Sequence, residues 1–381
     1  MENILGAKKI NSYIEQIEDS LYIEDTFSRQ IISGNYPNFK KEEFISGIPI
    51  SIKGKLNNEG IFIFDDFIFY GNINNNFTKG DYIFNTPPIN YNEKNKNENN
   101  KGNYILFLSN LKIGFPQSEV GFNESIRTLL IEFIQNRNNI NNEFKNNSEK
   151  IKRIVLVGSS INTNEKEMEN KIILDNSQSS QEITNNILNN YITLNKFLNI
   201  ISNYTYIDLM PSADSNDNLF YPQSPLNNLL FSENIKNINY SVLNLVSNPY
   251  FFSMKLNEEN KNKFFIGTSG ENINIIKQYS CFDNNIDIMK KNLEWKHLCP
   301  INPNYLNLFS PDNKIDPLLL QELPDVYFTS SEEKEFKYEK ININNKQIIL
   351  MSLPDFSKTS KCVLFNYEED TYKIIKFKFN I

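Results

Sequence analysis

Three strand-like runs do most to limit how this chain can fold: residues 104–109 (YILFLS), which is continuously apolar to its last residue, 153–158 (RIVLVG) and 204–209 (YTYIDL). A strand with one wet face alternates apolar and polar residues, whereas an unbroken run needs cover on both faces. Helical spacing fills the gaps between them. Ile126, Leu129, Leu130, Phe133 and Ile134 mark one face over residues 123–136. Ile183, Ile187, Leu188, Tyr191, Leu194, Leu198 and Ile201 mark another over 181–202. Strand, helix, strand, helix, strand in that order predicts a layered α/β domain. At 39% apolar and 13% aromatic residues, the chain can fill such a core.

Further strands are predicted at 263–267, 325–329, 346–353, 361–366 and 372–379. The last pair reads as antiparallel, which makes the sheet mixed or splits it into a two-sheet sandwich (α+β). Upstream the pattern differs. Residues 44–50, 51–56 and 61–70 read as short strands, with LNNEG at 56–60 as a turn. Short strands with glycine turns suggest a small β-barrel or part of one. Residues 88–103 (PINYNEKNKNENNKGN) lack apolar periodicity and read as a linker, and 136–150 as a surface insertion. At roughly 150 residues per domain, 381 residues make two to three domains. No run approaches the ~20 apolar residues of a membrane span, and the polar N-terminus lacks a signal-peptide core, so an intracellular soluble protein is expected.

Composition removes several chemistries. The charge is −7, from 46 acidic against 39 basic residues, the opposite of what a phosphate-backbone binder usually carries. A single histidine, His297, excludes chemistry that needs several imidazoles. It sits beside Leu298 and Pro300 and reads as structural. Cys281, Cys299 and Cys362 are dispersed, with no CxxC, so neither a zinc knuckle nor a disulfide framework is expected. Asp65 and Asp66, adjacent on one strand, should point to opposite faces and cannot pair as acid and base. Lys373, Lys376 and Lys378 read as an edge strand's guard against pairing. In layered α/β folds functional groups gather at the carboxyl ends of strands. Here those ends carry Asn110 and Lys112, then Ser159 and Ser160, then Ser212 to Asp214, then Thr268 to Gly270, then Ser330 to Glu332. Amides, hydroxyls, an ammonium and isolated carboxylates without an imidazole cannot build a centre for two hard cations, and no Walker loop or GxSxG elbow follows a strand. GTSGEN at 267–272 reads as a tight turn rather than a phosphate cradle.

Residues 243–280 (LNLVSNPYFFSMKLNEENKNKFFIGTSGENINIIKQYS) resemble the small (B) regulatory subunit family of DNA polymerase delta. The NPY of Asn248, Pro249 and Tyr250, the GTSGEN turn and the Tyr279–Ser280 pair carry the likeness. LMP at 209–211, PQSPLNNLLF at 222–231, WKHLCPINPNYL at 295–306, LPDVYFTS at 323–330 and LMSLPDFSKTSKCVLFN at 350–366 extend it. Upstream, 45–71 and IEDTFSRQ at 23–30 are similar to that family's oligonucleotide/oligosaccharide-binding (OB) domain. The resemblance implies an OB fold, whole or partial, at 23–87, after a polar segment at 1–22. Beyond the linker at 88–103 it implies a calcineurin-like phosphoesterase sandwich at 104–381 that has lost its metals. Former metal positions would then be Asn110, Lys112, Ser159, Asp214, Ser269 and Ser331.

The resemblance further implies a nuclear, non-catalytic subunit without cofactor. Its partners would be the C-terminal domain of the delta catalytic subunit and a third subunit, with the sliding clamp and DNA reached indirectly. Asn248, Pro249, Tyr250, Phe251, Phe252, Tyr305 and Phe309 are candidate interface anchors, with a core role the alternative for each. Two other functions stay open at this point: a metal-dependent phosphodiesterase or exonuclease, and a single-stranded nucleic-acid-binding OB protein.

Overall fold

In the computed structural model, the described residues are 20–25, 27–34, 43–69, 103–114, 124–138, 151–162, 177–212, 220–231, 242–256, 261–302 and 318–378. The chain divides into two compact units. One takes Met1–Asp81, Asn272–Leu323 and Asn342–Gln347, and the other takes Tyr82–Glu271, Pro324–Ile341 and Ile348–Ile381.

The first unit holds a four-stranded sheet: β1 (Leu21–Glu24), β2 (Arg29–Gly34), β3 (Ile50–Leu56) and β4 (Phe62–Phe69), in the order β1-β2-β4-β3. Among the described residues it is open, with β1 and β3 as edges, and no closed barrel forms. The β3–β4 hairpin turns where the sequence predicts. Asn57 Oδ1 accepts hydrogen bonds from the amides of Glu59 (3.0 Å) and Ile61 (2.8 Å), and Gly60 supplies φ +78. Residues 44–49, expected as strand, form no strand. Gly47 has φ +87, and a Cβ there would lie 2.0 Å from the Pro300 carbonyl oxygen, so the chain bends.

Asp65 and Asp66 differ from expectation too, since both are exposed. Lys53 faces Asp66 and Gly54 faces Phe64, so Asp65 is the extra residue of a β-bulge, which breaks the alternation. Phe44, Phe64, Phe67 and Phe69 make mutual ring contacts in this unit. The same unit contains most of α3 (Glu271–Gln278) and all of α4 (Asn285–Trp295). Asn284 caps α4, and the turn beyond its end places His297 Nδ1 as acceptor of the Cys299 amide at 3.1 Å. His297 is buried, in the structural role its context suggests.

The second unit is a mixed α/β sandwich. Its six-stranded sheet runs β15-β14-β5-β6-β7-β8, from β5 (Tyr104–Ser109), β6 (Ile151–Val157), β7 (Tyr206–Leu209), β8 (Leu243–Leu245), β14 (Lys361–Asn366) and β15 (Thr371–Lys376). Its five-stranded sheet runs β12-β13-β11-β10-β9, from β9 (Tyr250–Lys255), β10 (Asn262–Thr268), β11 (Val326–Ser330), and most of β12 (Lys337–Ile343) and β13 (Lys346–Leu353), whose joining ends are grouped with the first unit. The apolar runs behave as expected. Every residue of β5 is buried, with Leu106 and Leu108 in one core and Ile105 and Phe107 in the other. The first core includes Ile126, Leu130 and Ile134 of α1 (Glu124–Asn138), and Leu194, Leu198 and Ile201 of α2 (Ser177–Ile201). The second fills the space between the two sheets. β14 and β15 are antiparallel, as their sequence predicts. Strands β1, β2, β8, β9 and β12 have no counterpart in the sequence pattern above. The proposed linker up to 102, and the insertion from 139 to 150, lie outside the described residues.

Among the described residues no helix is long and apolar enough to cross a membrane.

Candidate functional site

Parallel strands β5, β6, β7, β10 and β11 end on one side of the sandwich, which places their following residues together. Asn110 is the hub. Its backbone is left-handed (φ +53), a conformation asparagine adopts more readily than most residues, so its side chain crosses to the neighbouring strand ends. Its Oδ1 accepts from the Ser159 amide at 3.0 Å and its Nδ2 donates to the Ser331 carbonyl at 3.1 Å. The carbonyl of Asn110 accepts from the Ser357 amide at 3.1 Å. Gly158, at φ +75, allows this approach: a Cβ there would stand 2.3 Å from Asn110 Oδ1.

Three strand-end hydroxyls are likewise committed. Ser159 Oγ donates to the Ile161 carbonyl (2.9 Å), Ser269 Oγ to the Pro211 carbonyl (2.6 Å) and Ser330 Oγ to the Ser269 carbonyl (2.6 Å). The Ser269 amide, which a phosphate cradle would turn outward, donates to Asn248 Oδ1 at 3.1 Å. GTSGEN is therefore a strand-to-helix turn held by its own chain, as the sequence suggests. Of the positions implied by the resemblance, Asn110, Lys112, Ser159, Ser269 and Ser331 lie at these strand ends. Asp214 lies outside the described residues.

The charge here comes from an ion cluster that sequence reading missed in part. Asp355 is fully buried at the N-cap of α5 (Phe356–Thr359). Its Oδ1 accepts from Ser357 Oγ at 2.5 Å and from the Lys358 amide at 3.3 Å. Its Oδ2 accepts no hydrogen bond, but Lys358 Nζ stands 3.5 Å away and Lys112 Nζ 4.0 Å away. Both ammonium groups also approach Glu332, at 3.7 Å and 4.0 Å. The Asp-Phe-Ser-Lys order is a legible N-cap signal. Its pairing with Lys112 is not, because the two are far apart in sequence. A pair of divalent cations does not fit this donor set. Two ammonium groups already face the buried carboxylate, and the Asn110 amide and the Ser159, Ser269 and Ser330 hydroxyls are spent on backbone groups. Among the described residues, no three His, Cys, Asp or Glu side chains are grouped to hold a metal ion.

A second polar cluster lies between the sheets. Arg153 of β6 donates through Nη1 to Asp208 Oδ2 of β7 and to Tyr250 Oη of β9, the latter at 3.1 Å. Tyr250 Oη donates to Asp208 Oδ2 at 3.1 Å, and Asn244 Nδ2 to Asp208 Oδ1 at 2.9 Å. Burial opposes the guanidinium charge, but Asp208 and Tyr250 outweigh it and hold Arg153 above its ordinary value. Burial, then Asp208, pushes Tyr250 well above the usual phenol range.

These contacts account for several proposed anchors. Asn248, Pro249, Tyr250 and Phe252 are buried within the chain. Asn248 Nδ2 donates to Gln223 Oε1 (2.7 Å) and Glu271 Oε2 (3.1 Å), and Phe252 stacks on Phe265 at 4.7 Å. Phe251 is half-buried. Tyr305 and Phe309 lie outside the described residues.

A family model for the B subunits of DNA polymerases alpha and epsilon matches residues 105–338. The chain is similar to the DNA polymerase delta small subunit of Oryza sativa subsp. japonica, 26% identical over 349 residues, covering 92% of this chain and 72% of the relative. It is also 26% identical over 350 residues to the Arabidopsis thaliana protein of the same name, covering 92% of this chain and 70% of that one. The Saccharomyces cerevisiae DNA polymerase delta small subunit is 27% identical over 200 residues, 45% of this chain and 39% of the relative.

Proposed function

The chain belongs to the DNA polymerase alpha/epsilon B-subunit family, and on that premise we propose that it is a non-catalytic small subunit of DNA polymerase delta in DNA replication. The observation that carries this reading is the alignment with relatives named as delta small subunits along 92% of the chain. The strand-end chemistry agrees with a scaffold. Lys112 and Lys358 face Asp355 where a hydrolase would need a cation.

In this reading residues 23–87 derive from an OB domain, 88–103 link, and 104–381 are a phosphoesterase-like sandwich retained for its shape. The small subunit holds the C-terminal domain of the catalytic subunit and docks a third subunit in the nucleus. The sliding clamp and DNA are reached only through those partners. With a net charge of −7, its surface would complement a basic segment of the catalytic subunit. The test is affinity purification of the tagged chain from native extract. Recovery of a stoichiometric B-family catalytic subunit is expected, with no manganese-dependent hydrolysis of bis-p-nitrophenyl phosphate by the isolated chain. Hydrolysis abolished by Asn110→Ala, or purification without any polymerase subunit, would overturn the reading.

A further inference from the structure

The sandwich has one end where its two sheets do not cover each other. β15 is the last strand of the six-stranded sheet, and β12 the last of the five-stranded sheet. Register fixes the direction of the β15 side chains. Tyr372 stands opposite Phe365 and Ile374 opposite Val363, and both partners lie in the inter-sheet core. Tyr372 and Ile374 therefore face inward, yet they are 40% and 46% exposed. The Phe336 and Tyr338 rings, 4.8 Å and 4.7 Å from the Tyr372 ring, mark where cover from the other sheet stops. Beyond them lies an apolar step. It is bounded by a strand edge that no other strand pairs among the described residues.

The charge on this step departs from that of the molecule. The chain carries −7 overall, but β12 and β15 together hold Lys337, Lys340, Lys373 and Lys376 against Glu339 alone. Lys337 pairs with Glu333, and Lys373 lies over the Tyr104 ring. Lys340 and Lys376 are exposed. Lysines along an edge discourage a second copy, because copies pairing edge to edge would bring lysine against lysine. They favour a strand of opposite charge.

We propose that the outer edge of β15 is a docking site for an extended acidic segment of a partner protein, which adds to the six-stranded sheet as one more strand. Its main chain pairs with β15, its apolar side chains cover Tyr372 and Ile374, and its carboxylates meet Lys340 and Lys376. This surface is independent of whether the chain serves a polymerase.

The probe is a fluorescein-labelled synthetic peptide alternating valine and aspartate. Controls are its valine–lysine counterpart and a version interrupted by proline, which cannot pair along a strand. Amide hydrogen exchange at Thr371–Lys376 reports pairing, and anisotropy reports affinity. The acidic peptide is expected to slow exchange on β15 by about tenfold or more, and neither control to do so. Ile374→Glu should weaken binding by about tenfold through lost apolar cover. Lys376→Glu, at an exposed position, should weaken it several-fold with its melting temperature unchanged, which decides the matter if Ile374→Glu fails to fold. Unchanged exchange on β15, or equal binding of the lysine peptide, overturns the proposal. So does a dimer in sedimentation that Ile374→Glu dissociates, since that would assign the edge to a second copy.

Discussion

The second unit contains two ionic clusters that differ in how water reaches them. The Arg153–Asp208–Tyr250 cluster is dry: Arg153 is 2% exposed and Asp208 fully buried. Its charges are joined by direct hydrogen bonds and span three strands of two sheets. The Lys112–Lys358–Asp355–Glu332 cluster is dry only at Asp355. The Glu332 side chain is 65% exposed, and the ammonium–carboxylate contacts there are 3.5 to 4.0 Å rather than hydrogen-bonded. A fully enclosed pair cannot lose one member without stranding the other, whereas a half-wet cluster can let water replace a missing partner. The first cluster therefore locks the sheets, and the second neutralises a strand-end region whose geometry is set by hydrogen bonds from Asn110.

The contrast can be broken most decisively at Arg153. Arg153→Met should cost about 3–5 kcal/mol in urea denaturation by leaving Asp208 buried and unpaired. The paired change Arg153→Met with Asp208→Leu should recover most of that loss. If the single variant costs no more than a surface substitution, the cluster is not what ties the sheets.

Gly158→Ala probes the Asn110 hub. The left-handed backbone and the 2.3 Å approach to Asn110 Oδ1 predict a loss of about 1–3 kcal/mol. Adding Asn110→Ala should change this cost through their shared contact, so strict additivity in the double-mutant cycle would count against the hub. Lys112→Met should cost less, about 1 kcal/mol, because Lys358 still faces Asp355. Smallest of all is Lys361→Ala. Its partner Glu335 is 75% exposed, so the change should stay within about 0.5 kcal/mol.

Alkaline pH sharpens the same comparison. Tyr338 is pushed up to about 12, first by burial and then by Asp370 and Tyr372. Tyr367 is pushed to about 12 by burial and Glu368, against a lowering contribution from Arg153. A raised folded value means that the folded chain keeps these protons while the unfolded chain, with phenols near 10, releases them. Their contribution is thus complete below about pH 10 and disappears as pH rises through about 12. Denaturation midpoints followed over this range should fall, and the fall should be shallower in Tyr338→Phe. An unchanged slope in that variant would remove Tyr338 from the account.

Much of the fold was readable because burial on both faces leaves a mark that composition bias cannot erase. YILFLS, RIVLVG and KQIILMSL became strands with both faces covered, and the Asn-Glu-Gly turn closed its hairpin. Half-buried strands were harder. β12 (KYEKINI) and β2 (RQIISG) carry too few consistent apolar positions to stand out in a chain rich in asparagine and lysine. At the strand ends the residue types could be read, since each follows directly on a strand. Their partners could not: Asn110 meets Ser331 across 221 positions, and Lys112 meets Asp355 from a different part of the chain. The NPYFF segment shows the same limit. Its aromatic residues suit an interface or a core equally well by type, and only the tertiary structure placed Tyr250 on Arg153 of the opposing sheet and Phe252 on Phe265 of the neighbouring strand.

By itself, the sequence determined which segments must be covered on both faces and which residue types stand at the strand ends. Both follow from local facts: apolar periodicity, and the identity of a donor or acceptor atom. Only the tertiary structure decided which charges are enclosed together, where a bulge exposes Asp65 and Asp66 together, and which core-facing residues of β15 remain wet. Those outcomes depend on distances between segments remote in sequence, and packing sets them only when the sheets come together.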